Sequence, residues 1–164
     1  MSNVIDESGL LAISTRLQRL SDQLRKDGLK IYESYGILFE PKWFPVIYTL
    51  HKKPVLSVVE IANEIGYTHP STISLLKELE KKRLIKSKKD KTDERKRLLY
   101  LSPDGRILVE KMLPIWALMV KALEQLTNTT NNLMKAIDEV EHQMKLQGFF
   151  QRATLIKEHK GINS

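Results

Sequence analysis

The chain of 164 residues contains no cysteine. Disulfides, thiol redox sensing, cysteine nucleophiles and every Cys-based metal site are thereby excluded. No apolar run approaches the roughly 18 residues of a transmembrane helix. The opening residues, MSNVIDESGL, lack the basic n-region and apolar core of a secretory signal. A cytoplasmic protein without a membrane partner is the simplest expectation. Catalytic signatures are missing too: no paired carboxylates in a pocket-like context, no phosphate-binding glycine loop, no nucleophile–histidine arrangement. An enzyme is therefore the weakest option, and no cofactor is expected. What is present, 41% hydrophobic and 29% charged residues, suffices for a soluble fold of one domain or two small halves sharing a core.

The net charge of +7 is informative because of where it sits. Residues 1–76 carry 8 basic and 8 acidic side chains, and residues 98–164 carry 8 and 7. Residues 77–97 carry 11 basic and 5 acidic, so nearly all the excess lies in 21 residues. Such a run can be a solvated surface. A localised basic patch is also the electrostatic footprint of phosphate binding.

From Ser8 to about Tyr35, Leu10, Ile13, Leu17, Leu20 and Leu24 recur at steps of 3 and 4, an a/d seam of an amphipathic helix. Gly28 is expected to mark a bend or an end. The seam fits a neighbour in the same chain or in a second copy equally well. Six of the 11 aromatics follow within 17 residues: Tyr32, Tyr35, Phe39, Trp43, Phe44 and Tyr48. They suit a core where helices meet, a ligand pocket, or both. Pro41 suits the first turn of a helix reaching about His51, and Pro45 implies a later start or a distorted first turn.

Residues 57–101 organise the rest. Ser57 and Glu60 make a capping box, and Val58, Ile61, Ala62 and Ile65 supply one buried face. Gly66 closes that helix, and Thr68 caps a second one with Pro70 in its first turn. Two helices joined by about three residues are the pattern of a helix-turn-helix. On the second helix, Thr72, Ile73, Leu76 and Leu79 fall on one side, with Leu75 at the border as a core edge. Ser71, Ser74, Lys77, Glu78 and Lys81 fall on the other, with hydroxyls early and lysines late, which suits a recognition helix in a major groove. Residues 84–88 and 96–101 read as paired strands around a charged tip, KDKTDER. Arg95 in that tip can enter a minor groove, steadied by Asp93.

Ser102 and Pro103 then open a helix to about Leu126, with a kink expected at Pro114. TNTTNN (127–132) interrupts, Leu133, Ile137, Val140 and Met144 resume the helical spacing, and a short last helix is expected over 149–156.

The order of elements resembles the MarR family of bacterial winged-helix regulators. The resemblance rests on IANEIGYTHPSTISLLKELEKKRLI for the helix-turn-helix, and on DERKR followed by LSPDG for the wing and the next helix. Asp93 and Arg95 stand at the family's D-x-R wing signature, with Arg97 just behind. Two departures stand out. Ser74 replaces the arginine that commonly precedes the core leucine of the recognition helix. Arg83 replaces the glycine often found before the first wing strand, which argues against a left-handed turn and adds a cation.

The resemblance implies a mainly α fold with a β-hairpin wing, a winged helix-turn-helix over 36–101, and dimerisation helices over 1–35 and 102–164. It implies a homodimer on double-stranded DNA, acting as a transcriptional repressor on a pseudo-palindromic operator. The implied DNA-contacting residues are Thr68, His69, Pro70, Ser71, Ser74, Lys77, Lys81, Lys91, Asp93, Arg95 and Arg97. A small aromatic or amphipathic effector is implied at Tyr35, Phe39, Trp43, Phe44, Tyr48 and Trp116. The family's cysteine-based peroxide sensing is excluded, and no metal is expected because His51, His69, His142 and His159 show no ligand spacing. The competing reading is a winged helix serving as an architectural or protein-interaction module without sequence-specific readout.

Overall fold

The computed structural model describes residues 3–93 and 95–159. It is mainly α-helical with one small antiparallel sheet. Two compact units divide after Trp116, inside a helix.

The first unit opens with a short helix α1 (Val4–Glu7), a 3-10 turn (Gly9–Ala12) and the long helix α2 (Ile13–Ser34). Leu10, Ile13, Leu17 and Leu20 of the expected seam are exposed within the first unit, and Leu24 is half-buried. Gly28 neither bends nor ends α2: it is buried, and the helix runs one and a half turns further. The end comes at Gly36, whose φ of 67° lets its N–H reach Glu33 O and the Ile37 N–H reach Tyr32 O. A 3-10 turn over Pro41–Trp43 leads into α3 (Phe44–Lys52), with Pro45 in its first turn. The ring can occupy that turn because it removes no intrahelical donor there.

Leu56–Ser57 form strand β1, an element with no signal in a two-residue stretch. Ser57 also caps α4 (Val58–Ile65): its N–H donates to Glu60 Oε2 at 2.7 Å, and its Oγ accepts from the Glu60 N–H. Gly66, at φ 68°, ends α4, and Thr68 caps α5 (His69–Lys81). Strands β2 (Ile85–Lys89) and β3 (Arg97–Leu101) form the wing, and β3 lies between β1 and β2. Leu99 of β3 pairs with both Leu56 and Ser87 and is fully buried. The core gathers Val46, Ile47 and Leu50 of α3, Ile61 of α4, Leu76 and Leu79 of α5, and Val109 and Met112 of α6 (Pro103–Thr127).

Arg83, between α5 and β2, is left-handed at φ 60° although it is not glycine. The expectation against a left-handed turn is thus overturned. The Leu84 N–H reaches Leu79 O at 3.0 Å and the Arg83 N–H reaches Glu80 O at 2.9 Å. These paired bonds cap the helix end and hold the side chain in a conformation that costs roughly 1–2 kcal/mol for an L-residue. The next turn is locked to α6. Ser102, buried, donates from Oγ to Arg83 O and from N–H to Leu84 O, and its Oγ accepts from the Gly105 N–H at 2.9 Å. Gly105 lies against the Leu84 carbonyl so closely that a Cβ there would sit 2.0 Å from the oxygen. The S-P-D-G run is thus both an N-cap and a backbone contact point.

The second unit takes the C-terminal part of α6, which continues through Pro114 to Thr127. Asn132 caps α7 (Leu133–Leu146), and α8 (Phe149–His159) follows Gly148. Arg152 of α8 donates to Gln143 O and Gln147 O at the end of α7. In this unit Leu123, Leu126, Met134, Val140, Met144, Phe149 and Phe150 are exposed, a large apolar surface.

Candidate nucleic-acid interface

Helix α5 is positioned by its apolar side. Thr72, Leu76 and Leu79 are fully buried, and Leu75 is buried at the border. Thr72, polar and interior, is satisfied by donating from Oγ1 to Thr68 O at 3.0 Å. This anchoring leaves Thr68, His69, Pro70, Ser71, Ser74, Lys77 and Lys81 exposed. The N-terminal end of α5 is therefore an open row of hydroxyls, its Ser71 N–H already taken by Thr68 Oγ1, and side chains of this kind at a helix start approach base edges.

The wing supplies the second element. Lys86, Lys88, Lys89, Lys91, Lys96 and Arg97 are exposed along β2, its tip and β3. Lys88 lies 5.6 Å from the Tyr100 ring centroid, which stiffens the charge over the strand. Arg95 at the tip is 95% exposed and leans on Asp93, with Nε 3.4 Å from Oδ1. The Arg95 N–H also donates to Asp93 Oδ1 at 3.1 Å, so the carboxylate shapes the turn as well as the guanidinium. Glu94 between them lies outside the described residues.

Arg97, expected to contact DNA, is paired with Glu80 of α5. It joins the wing to the recognition helix while keeping an exposed guanidinium. Glu78 is held on the other flank of α5. Its Oε1 accepts from Trp43 Nε1 at 2.8 Å and from Lys42 Nζ at 2.9 Å. Those two donors, Lys42 first, keep the Glu78 carboxyl below the usual glutamate range, and the same pairing raises Lys42. Lys82 Nζ lies 5.8 Å from the Trp43 ring centroid. The acidic residues of α5 are thus bound to neighbouring elements, and its lysines are left outward. These pairings join residues 17 and 35 positions apart and had no counterpart in helical spacing. The wing lysines besides Lys91 were part of the charge excess but were not singled out.

The six residues expected at an effector site do not form one cluster. Phe39 and Trp43 are buried and edge-to-face at 5.6 Å, with Tyr32 edge-on to Phe39 at 5.0 Å. Phe44, Tyr48 and Trp116 form a second, half-open group with centroids 5.1–5.6 Å apart. A hydrogen bond from Trp116 Nε1 to Tyr32 OH, 3.0 Å, bridges the groups. Tyr35 is exposed beside the end of α2.

Residues 36–96 match the family model described as MarR family. This segment is similar to a MarR-family winged helix. Solved structures share the fold over most of the chain. The MepR–DNA complex of S. aureus is 21% identical with a TM-score of 0.66, over 80% of this chain and 96% of that one. A mutant MarR from E. coli complexed with operator DNA is 15% identical with a TM-score of 0.63, over 87% and 99%. The PcaV transcriptional regulator of Streptomyces coelicolor, in complex with its natural ligand, is 14% identical with a TM-score of 0.63, over 90% and 99%. No curated protein matches the sequence. Within the MarR winged helix, the departures at Ser74 and Arg83 are both accommodated: the first is exposed on α5, the second is left-handed without glycine. Among the described residues, no helix is long and apolar enough to cross a membrane.

Proposed function

We propose that the chain is a sequence-specific, DNA-binding transcriptional regulator that acts as a homodimer, with repression its expected sense. The observation that carries this reading is the anchored recognition helix. Its exposed residues Thr68, His69, Pro70, Ser71, Ser74, Lys77 and Lys81 share the molecule's basic region with wing residues Lys91, Asp93, Arg95 and Arg97. The hydroxyls of α5 would meet base edges and its lysines phosphate in the major groove, and Arg95 the adjacent minor groove. The MarR-family match over this segment, and the DNA complexes of MepR and MarR, support the reading.

Residues 1–35 and 102–164 would serve dimerisation around the 36–101 reader. The exposed leucines of α2 and the exposed apolar residues of α7 and α8 suit that role. An aromatic or amphipathic effector would meet Phe44, Tyr48 and Trp116 first, and Phe39 and Trp43 through Tyr32, with Tyr35 at the periphery. Its leverage on DNA binding equals its differential affinity for two dimer geometries. A cytoplasmic, non-enzymatic protein accords with this role.

The test is selection of bound duplexes from a random pool by the purified protein. Recovered sequences should converge on a two-fold related site with half-sites roughly 34–36 Å apart. Specific binding should exceed non-specific binding by at least about 10³ at fixed salt. An unenriched pool would overturn the reading in favour of an architectural role.

A further inference from the structure

Trp43 and Glu78 belong to separate elements, yet they make a polar tie between the 3-10 turn before α3 and the last turn of α5. The indole donates to Glu78 Oε1 at 2.8 Å, and Lys42 from the same 3-10 turn donates to that oxygen at 2.9 Å. Lys82, one turn further along, approaches the same indole ring. Trp43 therefore grips α5 at two points, four residues apart on the helix and so on the same side. Its rotation is restricted in turn: it is buried and set edge-on to Phe39. On the opposite flank Glu80 is held by Arg97 of the wing. The buried stripe of α5 fixes its depth and its coarse rotation, and directional contacts on the flanks refine the rotation about its long axis. Glu78 lies four residues after Ser74 and one after Lys77. A change in its grip therefore re-aims the exposed row directly.

We propose that Glu78 is a positioning residue for DNA reading: held by Trp43 and Lys42, it sets the azimuth at which Ser71, Ser74 and Lys77 face the groove. This rests on the DNA-reading role proposed above and adds that the side chain contributes specificity without touching DNA. Charge and position make opposite demands on this carboxylate. As a negative charge beside a phosphate-binding surface, Glu78 would weaken binding to every sequence, and its removal would tighten binding generally. As a positioning residue, its removal lowers affinity for the selected site alone.

The experiment compares wild type, Glu78→Ala, Glu78→Gln and Trp43→Phe on the duplex recovered by selection and on a scrambled duplex, at several salt concentrations. Glu78→Ala and Trp43→Phe should each lower affinity for the selected duplex by about tenfold, the scale of one hydrogen bond to a charged group. Neither should weaken binding to the scrambled duplex, and the salt slope should stay unchanged. Glu78→Gln, still able to accept from the indole, should retain more selected-site affinity than Glu78→Ala. A double variant, Glu78→Ala with Trp43→Phe, should lose less than the sum of the two single losses, since both remove the indole–carboxylate bond. Equal changes on both duplexes, or a gain on the selected one for Glu78→Ala, would overturn the positioning role. If wild type itself shows no preferred sequence, the DNA-reading role fails, and this inference with it. A preference in wild type that the variants preserve defeats this inference alone.

Discussion

Gly105→Ala gives a sharp physical test of how the wing is joined to α6. In an open helical position this substitution stabilises by up to about 1 kcal/mol, because alanine is the better helix former. Here the new methyl would lie 2.0 Å from the Leu84 carbonyl oxygen, where ordinary contact begins at 3.4 Å. Backbone must retreat by more than an ångström, and neither side is free to do so. Leu84 O also accepts the Ser102 N–H at 3.0 Å, and the Leu84 N–H closes the end of α5 on Leu79 O. Overpacking a close-packed site costs roughly 1–3 kcal/mol. Losing one interior hydrogen bond adds about 1 kcal/mol. Against the propensity gain, a net destabilisation of about 1–3 kcal/mol is expected. The assay is urea unfolding followed by far-ultraviolet circular dichroism at one fixed protein concentration, since any association makes the midpoint depend on concentration. An unchanged slope with a lower midpoint is the predicted form. A midpoint equal to wild type, or higher, would refute the claim that α6 meets the wing backbone-to-backbone at this glycine.

Arg83→Gly should stabilise the protein by about 0.5–1 kcal/mol in the same assay, because it relieves a left-handed side-chain conformation; a loss would show that the Arg83 side chain contributes more than its backbone strain costs. Ser57→Ala should cost about 1 kcal/mol through the lost capping box of α4, read from the same midpoint. Arg95→Ala should weaken binding to all sequences and reduce the slope of log affinity against log salt by about one, and an unchanged slope would count against a DNA contact by Arg95. Glu78 has a folded pKa depressed by Lys42 and by the Trp43 N–H. Its stabilisation is therefore complete above the unfolded value of about 4.3 and is lost as pH falls through the folded value. Thermal unfolding from pH 6 down to pH 3 should show a shallower acid-side loss for Glu78→Gln than for wild type.

Much of this fold was legible because local chemistry and tertiary packing agree. The S-x-x-E box at Ser57, the glycine at 66, the Thr68 cap and the Ser102–Pro103 start all lie within one turn of what they control, so spacing sufficed. The strand pair was readable from extended-compatible residues on either side of a polar tip, and the buried stripe of α5 from its period. The misreadings have a common cause. Gly28 and Arg83 were judged by intrinsic preference, and at both positions surroundings override it: one glycine is buried within a continuing helix, one arginine is fixed by a double-bonded helix end. Strand β1 exists because β3 is there to pair with it. The split of the aromatics into a buried set and a half-open set, and the ties of Glu78 and Glu80, depend on residues distant in sequence. Periodicity places a side chain on a face and leaves open which partner it finds there.

The central claim is that α5 reads sequence with Ser71, Ser74 and Lys77. Ser74 is the residue on which to test it, being exposed, uncharged and outside the buried stripe, so that changing it leaves the fold intact. The decisive measurement is parallel selection from one random duplex pool by wild type and by Ser74→Arg. The account predicts that both recover two-fold related sites of the same spacing, differing at one pair of symmetry-related base positions, with guanine favoured there by the arginine variant. Identical consensus sequences from the two proteins would contradict it.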